Sequence, residues 1–522
     1  MALDKFEGEW NTRVAKHLLN RVSFSITKSS IDKFVSQGMD LSVLELLQDL
    51  PEISPPVNPE YEVDPNVPIG ETWVDKPELE GTATLWWRTI RTWSIRNMIY
   101  EGISAREKMT LFWHNHFVTS SPDEPQKHRY QYFNLLSNNC FGNFRELTKE
   151  ITINPSMLFF LNGDTNTSES PNENYARELL ELFTVGKGQL VGPGDYSRFT
   201  ESDVLSVSKI LTGWKIDYSP NLPDLGRPVF RSDLHDSSQK QLSSYFNNEI
   251  INDAGDEEYS NLIDIIFESP NTSLNIVRDL YIWFVHYEIN EFVEAEVIQP
   301  LANLLVQSDY EIKPVLKCLF ESSHFYESNC IGGKIKSPFE LVINFTKTFD
   351  IEIPDSLKGD FRWNYGISNI CDDMGQATSK FPTVAGWKAY YQSPNYYELW
   401  IDAITLPLRM SFVEKTIMEG QSIIGYPYKV DVLNFISKIE NAINPNLLIE
   451  GISNIIYSNP ISEDRVAIFK SVLIPGLPDF EWSVEYQDYL DDSLNEEKRL
   501  AVENRVKVLI ATMLSAPEYQ LH

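Results

Sequence analysis

Apolar residues recur at helical spacing through most of this chain, and prolines cluster where the recurrence stops. Trp86, Ile90 and Trp93 fall at i, i+4 and i+7, and Val14, Leu18 and Val22 at i, i+4 and i+8. Such spacing stacks side chains on one helix face. The pattern predicts helices over Asn11–Val22, 30–50, Ser104–Phe117, 130–150, 172–185, 200–213, 272–286, 296–308 and 312–322, with more from Tyr397 onward. Ser104 with Glu107 and Thr200 with Asp203 carry the residue types of a helix N-terminus. The breaks are proline-rich. Pro51, Pro55, Pro56, Pro59, Pro65, Pro68 and Pro77 mark a surface loop or extended arm. Pro220, Pro223, Gly226 and Pro228 mark an irregular excursion over 215–255 with a short hairpin. Residues 350–397 read as loop-rich, ending in Pro382, Gly386 and Pro394.

The expected fold class is therefore mainly α: a large multi-helix body with long irregular loops and little strand. The breaks set N-terminal helices at 1–50, a Pro-rich acidic loop or arm at 51–84 and a central helical core at 85–345. A C-terminal helical region at 346–522 then packs on that core.

Composition narrows the partners. The net charge of −31 repels nucleic acid and anionic membranes, and its plainest use is solvation. Cys140, Cys318, Cys330 and Cys371 form no CxxC pair, so free thiols are expected. No run reaches the roughly 18 apolar residues of a membrane span. The start, MALDKFEGEW, has no basic residues leading into an apolar stretch. The expectation is a soluble cytoplasmic protein, or a periplasmic or secreted one if a signal has been removed. Phosphate-loop, HExxH and GxSxG signatures are absent. Gly186-Lys187-Gly188 follows a helix and reads as its C-terminal turn.

Three stretches could carry chemistry. In Trp113-His114-Asn115-His116 the histidines are two apart. On a strand or turn they would face one ion, whereas on a regular helix they point about 200° apart. They are either structural or ligating and catalytic. In Asn172-Glu173-Asn174-Tyr175-Ala176-Arg177-Glu178-Leu179-Leu180-Glu181, Asn172 is the N-cap candidate. Asn174, Glu178 and Glu181 then share a face, and Arg177 is placed to pair with Glu181. That face is either an ordinary solvated one or a buried one, which would need a cation or a shared proton. The third stretch is His235-Asp236, a structural or catalytic pair. Trp387, Tyr390, Tyr391, Tyr396, Tyr397 and Trp400 read as core or as a carbohydrate-binding surface.

Taken in order, HLLNRVSF, REKMTLFWHNHF, NFRELTKEITINPSML, PNENYARELLELFTVG, FTESDVLSVSKILTGW, LHDSSQK, KIKSPFELV and FPTVAGW resemble one bacterial family, domain of unknown function 1800. Ser25 and Ile26 stand where that pattern continues with Gly and Pro. The resemblance implies no settled reaction. It implies a possible partner, because members are often encoded beside a sulfatase-like protein of another family, domain of unknown function 1501.

Two functions follow from the residues. One is an enzyme, with hydrolysis the simplest reaction. His114, His116, Glu178, Glu181, His235 and Asp236 would be its catalytic candidates, and Asn174, Arg177, Trp113 and Trp387 would bind substrate. A divalent metal ion held by His114, His116, Glu178 and Glu181 would be its cofactor. The other is a non-catalytic scaffold or binding partner of the sulfatase-like protein, in extracellular polymer handling.

Overall fold

The structure is a computed structural model that describes residues 2–62, 64–79, 81–193, 195–218, 226–387, 390 and 396–522, with the side chains of Tyr396 and Tyr397 left aside. Pro220, Pro223, Tyr391 and Pro394, singled out above, lie outside the described residues. The fold is mainly α, 57% helical, and among the described residues the strands pair only as short two-stranded hairpins.

Local chemistry sets most helix starts. Asn11 accepts from Arg13 N–H at 3.0 Å and opens Thr12–Val22, which buries Val14, Leu18 and Val22. Thr200 and Asp203 form the expected capping box ahead of Glu201–Ile210. At Ser104 the expected box is replaced by a related arrangement. Ser104 Oγ accepts from Arg106 N–H at 3.0 Å, and the Glu101 carboxylate accepts from Glu107 N–H at 3.2 Å.

Periodicity alone misplaces several boundaries. The region 30–50 is two helices, Lys28–Gln37 and Met39–Leu46, divided by Gly38 at φ +81°. The region 130–150 is likewise two, Gln126–Asn138 and Phe144–Thr152, with Asn143 capping the second. The stretch read as loop-rich after residue 350 contains a 17-residue helix, Leu357–Asp373, lying along Ala83–Tyr100. It carries Gly366 in its middle. A Cβ there would come 2.1 Å from Ile423 Cγ2, so the glycine lets the hairpin Gln421–Ile423/Tyr426–Tyr428 close onto the helix. The Pro-rich segment is not a free arm. Its Trp73 is fully buried and stacks on Trp86 with ring centroids 4.8 Å apart.

The excursion after Trp214 does contain a hairpin, Trp214–Asp217 paired antiparallel with Arg227–Phe230. One continuous apolar core reaches from Ala2 through Trp113 and Phe284 to Tyr519. Around it, the end of Arg106–His116, the Glu173–Phe183 segment, Pro270–Phe284 and the turn Thr383–Gly386 converge on one cleft.

Candidate functional site

The Arg106–His116 helix stays regular to its last turn, so its two histidines diverge. His114 is fully buried. Tyr132 O–H donates to Phe117 O at 2.6 Å, so the Tyr132 oxygen is left to accept from His114 Nδ1–H at 3.1 Å. Ser379 N–H then donates to His114 Nε2 at 2.9 Å. Both nitrogens are consumed, and rings of Phe133 and Phe381 pack on the imidazole at 4.6 Å each. Burial and then the Arg129 charge hold His114 well below the usual histidine range.

His116 turns the other way, into the cleft. Its Nε2–H donates to the Phe183 carbonyl at 3.0 Å, and Nδ1 lies 3.2 Å from Asp279 Oδ2. A carbonyl only accepts, so Nε2 must keep its proton. In the neutral ring Nδ1 therefore carries the lone pair and faces Asp279.

The Phe183 carbonyl is in place because the Glu173–Glu178 helix widens. Asn172 caps that helix by accepting from Asn174 N–H at 2.9 Å. From Leu179 to Phe183 the backbone forms a π-helical turn, a feature often found at functional sites. Thr184 Oγ1 caps the widened turn by donating to Leu179 O at 2.5 Å. The turn puts Glu181 on the cleft wall, where it pairs with Lys187. Glu178, half-buried one turn earlier, is pushed up to about 7 by burial and then by the Glu181 charge. Arg177 does not pair with Glu181. It binds Glu201 at 2.6 and 2.9 Å and Glu173 at 3.1 Å. Asn174 is exposed.

The cleft has a volume of about 130 Å³. Its polar wall is Asn115, His116, Glu181, Asn275 and Asp279, and Trp283 and Tyr390 supply an aromatic wall with ring centroids 4.3 Å apart. Asn115 Oδ1 accepts from Trp387 N–H at 2.8 Å and so fixes the neighbouring turn. Gly386 sits there at φ +89°, where a Cβ would come 2.4 Å from Asn115 Oδ1. Sequence reasoning missed Asn275, Asp279 and Trp283. Asn275 and Asp279 are an i, i+4 polar pair, but a solvated helix face looks the same in sequence.

The remaining candidates lie elsewhere. Trp113 is core: its Nε1–H donates to Cys140 O at 3.0 Å and its ring stacks on Phe144. Trp387 is buried against Phe381 and Trp400 and lines a different pocket. His235 meets Thr212 O at 2.9 Å and Glu258 Oε1 at 3.1 Å, while Asp236 Oδ1 closes a turn by accepting from Ser238 N–H at 2.8 Å. Neither lines the cleft.

Among the described residues, His235, Asp253 and Glu258 have ligand atoms within 4.8 Å of one another, close enough to surround a metal ion. Lys240 already supplies a cation there, with Nζ 3.0 and 2.7 Å from the two oxygens of fully buried Glu258. His114, His116, Glu178 and Glu181 form no such set among the described residues.

Fold and cleft define a mainly helical protein with an imidazole, carboxylates and amides gathered against two aromatic rings. A family model described as "Protein of unknown function (DUF1800)" matches residues 17–521, nearly the whole chain, and the protein belongs to that family. No curated protein and no solved structure matches it. No helix among the described residues is long and apolar enough to cross a membrane.

Proposed function

We propose that the protein is a hydrolytic enzyme that works by general acid–base catalysis in this cleft. The observation that carries the reading is the His116 tautomer set by Phe183 O, with Nδ1 directed at Asp279 on the cleft wall. His116 Nδ1 accepts the proton of an attacking water, the Phe183 carbonyl holds the ring, and the Asp279 carboxylate beside Nδ1 stabilises the charge the ring gains. Glu178, whose carboxyl is pushed up to about 7, holds the proton for the leaving group, and Glu181 at the cleft wall hands it over. His114, with both nitrogens used, takes no part.

The test offers the folded protein chromogenic esters, glycosides, phosphate esters and sulfate esters, beside Asp279→Asn and Glu181→Gln. Metal content is measured on the same samples. Turnover of one class, lowered at least about 100-fold in both variants, is the expected result. Equal turnover in the variants sinks the assignment. One equivalent of metal that disappears with either carboxylate would replace the metal-free mechanism with a metal-assisted one.

A second reading, an assembly role beside a partner such as the sulfatase-like protein, is supported by exposed apolar side chains near the C-terminal end. Leu477, Phe480, Val484, Leu490 and Leu494 are between 43% and 96% exposed. Folded protein that turns over none of the four classes and co-purifies with that partner would favour it.

A further inference from the structure

Away from the catalytic wall of the cleft, the interior holds more positive charge than it neutralises. Arg21, Lys108 and Lys334 are each at most 5% exposed, and they come from three separate parts of the chain. Among the described residues, the carboxylate that acts on all three is Glu340. Lys108 Nζ is paired with Glu340. Among the described residues, neither Arg21 nor Lys334 is paired with a carboxylate of its own. Lys334 Nζ is held by two carbonyls, Ile282 O and Trp283 O, at 2.6 Å each. Arg21 is less well provided for. Its Nη2 donates to Cys330 O at 2.6 Å, while Nε and Nη1 find no acceptor among the described residues.

An unpaired buried cation and unsatisfied buried donors each cost several kcal/mol in order of magnitude. Evolution could have placed an apolar side chain at either position, so a charge there calls for a counterpart. Burial pushes the Lys334 ammonium well below the usual lysine range, and Arg21 and Lys108 push it the same way, as expected where positive charge is in excess.

We propose that Arg21 and Lys334 bind a small tetrahedral oxyanion, phosphate or sulfate, inside the fold. A guanidinium suits such an anion because it offers directed N–H donors and stays charged when buried. The site backs onto the cleft: Lys334 holds the carbonyl of Trp283, and its Nζ lies 5.5 Å from the centre of the Tyr390 ring. Trp283 and Tyr390 both line the cleft. The bound anion thus completes the charge balance behind the aromatic wall. It does not depend on the hydrolytic reading, since none of its ligands lies on the catalytic wall.

The full chain is purified without phosphate or sulfate, denatured, and its released anions are quantified by ion chromatography. Thermal unfolding is followed in parallel with added phosphate, sulfate or, at equal ionic strength, chloride. The expected result is about one equivalent of released phosphate or sulfate per chain. If the anion has exchanged away, the expected result is a rise in Tm of about 2 °C or more with one of those oxyanions over chloride. Retention identifies a resident ion, and stabilisation only on addition identifies an exchangeable one. Arg21→Met, which keeps the length of the side chain, should abolish either signal, and Lys334→Met serves as a second variant if the first does not fold. The proposal is overturned if wild-type protein neither releases nor responds to the oxyanions. A variant that keeps the wild-type signal also overturns it.

Discussion

The main-chain carbonyl of Phe183 accepts from Nε2–H of His116 at 3.0 Å, so a π-helical turn in one element fixes the tautomer of a histidine at the end of another. His114, two residues earlier, is fixed the opposite way, with Nδ1–H on Tyr132 and Nε2 accepting from Ser379. Nitrogen-15 spectra of labelled protein should therefore show the neutral rings of His114 and His116 as different tautomers, Nδ1–H and Nε2–H respectively. The same tautomer for both would contradict the arrangement.

His114→Ala removes a ring packed between Phe133 and Phe381 and strands the Ser379 N–H. The expected loss is about 2–4 kcal/mol in urea unfolding. The pH dependence carries a sign. His114 is depressed well below 6.5 in the folded protein, so below that pH the unfolded chain takes up a proton that the native state refuses. Wild-type stability thus falls as pH drops below about 6.5. The variant, lacking this ring, should fall less steeply over the same range.

Glu178 titrates near 7 in the fold and near 4.5 when unfolded. Between those values the native state binds the extra proton, so its stability declines as pH rises from 4.5 through 7. Glu178→Gln escapes that decline. Its Tm should exceed that of wild type by about 1 °C at pH 8, a small shift because the side chain is half-exposed and screened. At about pH 4 the two should agree.

Gly386→Ala puts a methyl group 2.4 Å from Asn115 Oδ1 at a left-handed backbone position. Relief requires breaking the Asn115–Trp387 bond, with an expected cost of about 2–4 kcal/mol. Calorimetry measures the cost, and loss of turnover beyond the loss of folded protein would tie the turn to the cleft.

Glu258→Ala leaves Lys240 as a buried charge and His235 without its carboxylate. The expected destabilisation is about 3–5 kcal/mol, whereas the double variant Glu258→Leu with Lys240→Met should lose much less. Wild-type Tm unchanged by zinc or by a chelator would confirm that lysine is the cation of this cluster. A rise with zinc would show that a metal displaces it.

Much of this protein is legible in its sequence. Spacing such as Val14, Leu18 and Val22, and capping residues such as Asn11, Asn172 and Thr200, act over one or two turns. They determine mainly helical structure and most helix starts without reference to the rest of the chain. The blocks that bear His116 and Glu181 could be picked out for the same reason, because residue types and order are local facts. What a side chain faces is not. Both His114 and His116 look equally reactive in WHNHF, and only the packing of Tyr132 and Ser379 on one, and of Phe183 and Asp279 on the other, separates them. Only the packing shows that Ile423 needs the space left by the missing Cβ of Gly366. Asp279 is one more polar residue on an amphipathic helix until the cleft closes around it. Burial, a tautomer or a countercharge depends on atoms brought together from distant parts of the chain, and only the tertiary structure decides which atoms those are.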